Sequence, residues 1–171
     1  TEDDGSADEL CDAVAETGRD IQVGQLITAM RHADRGQEIA ELAVRHRNNG
    51  AVGFDIAGAE DGFLPSRFKD AFTYLAQHNF PATVHAGEAA GLESIQSALV
   101  DGRALRLGHG VRIAEDITVE FEDDEDADGG SDEAGDNIGM VTLGELASWV
   151  RDRGIALEIC PSSNLQTGAV S

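Results

Sequence analysis

Apolar positions along this chain switch repeatedly between a spacing of two and a spacing of three to four, and that switching predicts its architecture. Residues 1–9 (TEDDGSADE) have no apolar period and read as a polar, mobile start. Leu10, Ala13 and Val14 recur at helical spacing, predicting a helix over 10–17 closed by Gly18. Residues 21–28 are rich in β-formers and predict a strand. A helix over 37–47 follows, with Ile39, Leu42, Ala43 and His46 on one face and Asn48, Asn49 and Gly50 stopping it. The pattern then repeats. Strand 51–57 (AVGFDIA) runs into Gly58, and a helix over 65–77 begins at Pro65 and Ser66 and turns Phe68, Ala71, Phe72 and Leu75 inward. Strand 82–85, helix 92–101 and strand 104–107 come next. A helix over 142–153, capped by Gly154, leads to a last strand over 155–159 before Cys160 and Pro161.

Five strands alternating with helices imply parallel strands with right-handed crossovers, in either an open doubly wound sheet or a (β/α)8 barrel. The polar residues choose between them. Gly58, His85 with Glu88, His109, and the turn Pro161-Ser162-Ser163-Asn164 each follow directly after a predicted strand. Barrel enzymes assemble their sites at strand carboxyl ends, from several strands. An open sheet gathers its ligand at one switch point, and the chain has no GxGxxG loop to mark one. The expectation is α/β: a partial (β/α)8 TIM barrel, a single incomplete catalytic domain over 1–171. A barrel takes eight units and about 250 residues, so three units are expected outside this chain, which also starts at Thr1 rather than Met.

Charge adds one feature. The chain has 33 acidic and 12 basic residues, a net −21. Residues 120–136 alone hold ten carboxylates, and without them the balance is −11. That predicts an acidic, disordered insertion at about 120–139 within an otherwise ordinary acidic surface. Such a balance disfavours a nucleic-acid or anionic-membrane partner, which calls for basic patches. The N-terminus is acidic where a secretory signal is basic, so the expected compartment is the cytoplasm. Cys11 and Cys160 lie far apart and read as buried free thiols. Within the insertion, Asp124, Asp126, Asp128 and Gly129 match the opening of a calcium loop, but Gly135 stands where its bidentate glutamate belongs.

The chemistry gathers at two places. His85 ends a strand, and Glu88 follows it across a glycine turn. Such a pair suits metal-assisted hydrolysis, one group holding a metal and the other moving a proton. A capped turn is the plain alternative, with Glu88 merely favoured at a helix start. His109, between Gly108 and Gly110 at the next strand end, strengthens the first reading, the glycines allowing a ligand close to the backbone. His32, His46 and His78 read as surface or packing residues, His32 least firmly because it follows a strand.

Five ordered segments carry a family likeness: ITAMRH (27–32), GFDIAGAE (53–60), TVHAGE (83–88), LGHGVRI (107–113) and EICPSSN (158–164). Together they resemble the adenosine deaminases of the metal-dependent amidohydrolase superfamily. The resemblance implies a (β/α)8 fold, a catalytic Zn2+, and hydrolytic deamination of adenosine and deoxyadenosine to inosine products and ammonia. It implies that His85 is a zinc ligand and that Glu88 protonates a purine ring nitrogen. His109 would orient or deprotonate the attacking water, and the Gly58 N–H would bind the other side of the ring. Glu158 is placed behind His109 by strand adjacency. The PCxxC signature of cytidine-type deaminases is absent.

The family's His-x-His pair and its final Asp pair have no counterpart here. A catalytic zinc usually takes three protein ligands, so the chain alone is expected to bind zinc weakly and not to turn over adenosine. Other readings stay open: an adenine or AMP deaminase of the same superfamily, or a non-catalytic barrel-derived module binding through its acidic loop. Exposed sheet edges would favour self-association.

Overall fold

The computed structural model describes residues 23–121 and 139–169, together with Asp12, Glu16 and Gly18. In chain order they form β1 (Gln25–Met30), α1 (Gly36–Arg45), β2 (Ala51–Ala57), and a 3-10 turn (Pro65–Phe68) running into α2 (Lys69–Gln77). Then come β3 (Thr83–Ala86), α3 (Leu92–Val100), β4 (Arg106–His109) and a second 3-10 turn (Val111–Asp116). The series ends with β5 (Ile117–Glu120), β6 (Met140–Leu143), α4 (Glu145–Arg153), β7 (Ala156–Glu158) and α5 (Pro161–Gln166).

β1 pairs with β2, β3 with β4, and β4 with β7, all parallel. A bridge between Phe54 and Ala82 links the groups, the Phe54 N–H donating to the Pro81 carbonyl at 3.0 Å. The order β1-β2-β3-β4-β7 is what successive right-handed crossovers produce. The described strands do not close on themselves. Strand alternation divides the sheet. Phe54, Ile56, Val84 and Leu107 are buried on one face, against Phe72, Leu75 and Ile95 of the helices, with Phe54 edge-on to Phe72 at 5.8 Å. Asp55, His85, Arg106, Gly108 and Glu158 belong to the other face, with Leu26 and Met30 of β1.

Three expectations change. In α1 the buried stripe is Gly36, Ala40 and Ala43, while Leu42 and His46 are exposed. The flanks of the acidic segment, β5 and β6, pair antiparallel as a ribbon, so the helix expected from 142 starts instead at Glu145 as α4. Cys160 is exposed rather than buried. Residues 122–138, with the disorder and calcium readings, and Cys11 lie outside the described residues. Of the predicted helix 10–17, Asp12 and Glu16 are described, both helical. Among the described residues no helix is long and apolar enough to cross a membrane.

Candidate active site

The predicted histidines and glutamate converge. β3 and β4 run side by side with His85 opposite Gly108 and Ala86 opposite His109. A Cβ on Gly108 would sit 2.8 Å from His85 Cγ, so the missing side chain makes room for the imidazole rather than for a ligand, as the sequence had suggested. His109 takes a left-handed φ of +65°, followed by Gly110 at +69°. A side chain other than glycine rarely holds that conformation, and where it does a site is often the reason. The turn brings the His109 ring to 5.3 Å from that of His85, edge to face. Glu88 Oε1 lies 3.3 Å from His109 Nδ1.

Three buried charged groups grip this corner from behind, and the sequence reading gave none of them a role. Asp55 of β2 places Oδ2 2.8 Å from His85 Nδ1 and accepts the Ile56 N–H at 2.7 Å with Oδ1. Glu60 accepts the N–H groups of Gly87 (2.5 Å), Glu88 (3.0 Å), Ala89 (2.7 Å) and Ala90 (3.1 Å). Four amides on one carboxylate form an anion nest, here filled by the protein's own side chain. Arg31, fully buried after β1, donates to the carbonyls of Phe63 and His85. A signal was present: Asp55 sits inside the apolar run AVGFDIA, and a buried carboxylate is seldom left unpaired.

These contacts shift protonation. The bond to Asp55 raises the His85 pKa above the ordinary histidine value, against an opposing effect of burial. Burial alone would raise the Glu60 carboxyl. The neighbouring Ser94 hydroxyl and the amides of Ala90, Gly87 and Glu88 outweigh it and hold Glu60 below the usual carboxylate range. Burial lowers the Arg31 pKa, while the charges of Glu60 and Asp55 oppose that.

From beyond β7, α5 closes the corner. Ser163 Oγ donates to Glu88 Oε1 at 2.9 Å, and Asn164 Nδ2 donates to the same oxygen at 3.1 Å. Asn164, also buried, lies 3.0 Å from His109 Nδ1. That position had been expected of Glu158. Instead Glu158 pairs with Arg106 Nη1 at 2.9 Å. The register explains the correction: Glu158 lies opposite Gly108, on the face it shares with Arg106 and not with His109. Gly58 ends β2 with φ +103°, and a Cβ there would sit 3.2 Å from Met30 Cε and 3.9 Å from His32 Nδ1. His32, His46 and His78 are exposed, and His78 pairs through Nδ1 with the Tyr74 carbonyl.

The Adenosine deaminase family model matches residues 4–171. The chain belongs to the adenosine deaminase family. An adenosine deaminase of Mycobacterium sp. (strain KMS) is 55% identical over 159 residues, which is 93% of this chain. The chain spans about 40% of that relative's length. An adenine deaminase from Arthrobacter aurescens shares the fold with a TM-score of 0.66 at 22% identity, over 96% of this chain and 43% of that one. An amidohydrolase from Burkholderia ambifaria, with bound Zn, overlaps at a TM-score of 0.56 and 23% identity, over 61% of this chain and 29% of that one.

A family metal can be tested against the side chains present. Metal-binding imidazoles typically have their other nitrogen held by a carboxylate, and Asp55 at His85 Nδ1 fits, leaving Nε2 to bind. Among the described residues no group of three His, Cys, Asp or Glu side chains could hold an ion. The fit extends to one braced ligand and no further.

Proposed function

We propose that this chain supplies one side of the active site of a zinc-dependent purine deaminase, which hydrolyses adenosine and deoxyadenosine to the inosine product and ammonia. The juxtaposition of His85, Glu88 and His109 at the carboxyl ends of two neighbouring parallel strands carries the reading. The five parallel strands are read as a sector of a (β/α)8 barrel, whose catalytic groups come from several strand ends.

In this reading His85 contributes one ligand to a zinc ion whose other ligands come from outside this chain. Zinc, when bound, supplies a Lewis acid that makes water nucleophilic at neutral pH. The chain's own residues do the rest. Glu88 delivers a proton to a ring nitrogen, drawing electrons from the adjacent carbon so that the water oxygen adds there. Of the two protons that oxygen gives up, one leaves on the amino group as ammonia and the other restores Glu88. His109 holds the attacking water, and the Gly58 N–H binds the opposite side of the ring. Asp55, Arg31 and Glu60 keep the strand end rigid, as preorganised catalysis requires.

Grafting this chain in place of the matching segment of the mycobacterial relative tests the proposal. The chimera is expected to turn over adenosine, followed by ultraviolet absorbance, and Glu88→Gln to lower kcat by about 10²–10⁴-fold. A folded chimera without activity, or one preferring adenine or AMP, would overturn the adenosine assignment. The 171-residue chain alone is expected to show no turnover and only weak zinc binding in equilibrium dialysis.

A further inference from the structure

The amide of Asn164 touches both groups to which the proposed chemistry assigns protons. Its orientation is constrained. Oδ1 accepts the Cys160 N–H at 3.3 Å, and Nδ2 faces Glu88 Oε1 at 3.1 Å and His109 Nδ1 at 3.0 Å. Turning the amide over would set Oδ1 against the Glu88 carboxylate and the NH2 group against the Cys160 N–H, losing both bonds. A primary amide has two N–H donors. In this orientation one reaches Oε1 of Glu88 and the other reaches Nδ1 of His109.

A donor at Nδ1 requires a lone pair there, and the nitrogen opposite a fixed hydrogen bond is the one that carries the proton of a neutral imidazole. We infer that Asn164 is a positioning residue that holds neutral His109 in the Nε2-protonated form while reserving Glu88 Oε1 as an acceptor. The competing arrangement, Nδ1–H donating to Glu88 Oε1 across 3.3 Å, would point two donors at each other over the shorter 3.0 Å gap. Ser163 Oγ, at 2.9 Å from the same Oε1, adds a second donor to that oxygen, so a proton carried by Glu88 resides on Oε2. Resting on the deaminase reading, this gives the pair distinct parts. Glu88 Oε2 gives a proton to the ring, and His109 Nε2–H binds the water oxygen as a donor instead of removing its proton.

Asn164 is buried and comes from α5, far in sequence from both groups it joins. Its part is therefore separable from that of the HAGE and GHG segments. Long-range 1H–15N histidine spectra of the 171-residue chain, at about pH 8 where an ordinary imidazole is neutral, report which nitrogen of His109 is protonated. The Nε2–H form is expected to be favoured, beyond the preference of free imidazole, by about two- to tenfold, the worth of one hydrogen bond. Free imidazole already leans the same way, so the decisive arm is Asn164→Asp. Its carboxylate accepts, and the proton is expected to move to Nδ1. Asn164→Ala is expected to relax the ratio without inverting it. An Nδ1-protonated native chain, or an Asn164→Asp spectrum like the native one, would overturn the inference. The tautomer is read without turnover, so an inactive chimera with the expected spectra would fault the deaminase proposal alone.

Discussion

Glu60 shows how much one side chain can organise. Its carboxylate is buried and bound by four consecutive amides, and it lies near Arg31. Removing one partner of a buried charged arrangement costs about 3–5 kcal/mol, so Glu60→Ala should destabilise the chain by that order in urea unfolding. Glu60→Gln gives a sharper test. A carboxyl held below its ordinary range contributes stability in full above the unfolded value of about 4.3, and loses it as pH falls through the lower folded value. Between neutral pH and that acid limb, the native chain should therefore lose more stability than Glu60→Gln. Thermal midpoints measured across the range would reject the assignment if the two curves ran parallel. The meeting of His85, Glu88 and His109 was legible in the sequence because each lies at or just past a strand end in a short polar motif. Arg31, Asp55, Glu60 and Asn164 were not, because their parts depend on which strand ends meet in space. Glu158 was misplaced for a related reason. Strand adjacency was read correctly, but the side-chain period of two and the left-handed turn at His109 put the two residues on different faces.

At the scale of elements, all five parallel strands were legible to within a few residues, since buried parallel strands carry dense apolar runs between glycine and proline punctuation. The β5–β6 ribbon was missed because its apolar side chains Val119, Met140 and Val141 are exposed, leaving no inside-outside contrast to read. Helix α5 was taken for a turn, although Pro161 at its first position is a recognised start signal. The strand β2 offers a contrast within one element. Phe54 is fully buried, whereas Val52, at the register shift where Ala51 pairs with Gln25 and Gly53 with Leu26, is 53% exposed. Phe54→Ala should cost about 3–5 kcal/mol, and Val52→Ala less than about 0.5 kcal/mol. Comparable losses in denaturant titrations would mean that the helix-side core is not where the structure puts it.

For the whole molecule, β1 and β7 each have one paired neighbour among the described residues, and Leu26 and Met30 of β1 are exposed. Open edges recruit further strands, whereas a net charge of −21 keeps copies apart. Salt screens that repulsion, with a Debye length of about 10 Å at 0.1 M and about 3 Å at 1 M. The chain is therefore expected to self-associate increasingly as salt is raised, as sedimentation velocity would show. A monomer at every salt concentration would mean that these edges are not adhesive.

The paired register of Glu120 with Met140 carries a last consequence. It brings the two described ends of the most charged stretch, Phe121 and Gly139, side by side at the tip of the ribbon. Swapping residues 121–139 for an Asn-Gly turn, which suits such a junction, should leave the stability of the parallel strands and the spectra of His85 and His109 unchanged. Unchanged spectra would mean that the junction tolerates a change of length between its paired ends, and altered ones that it does not.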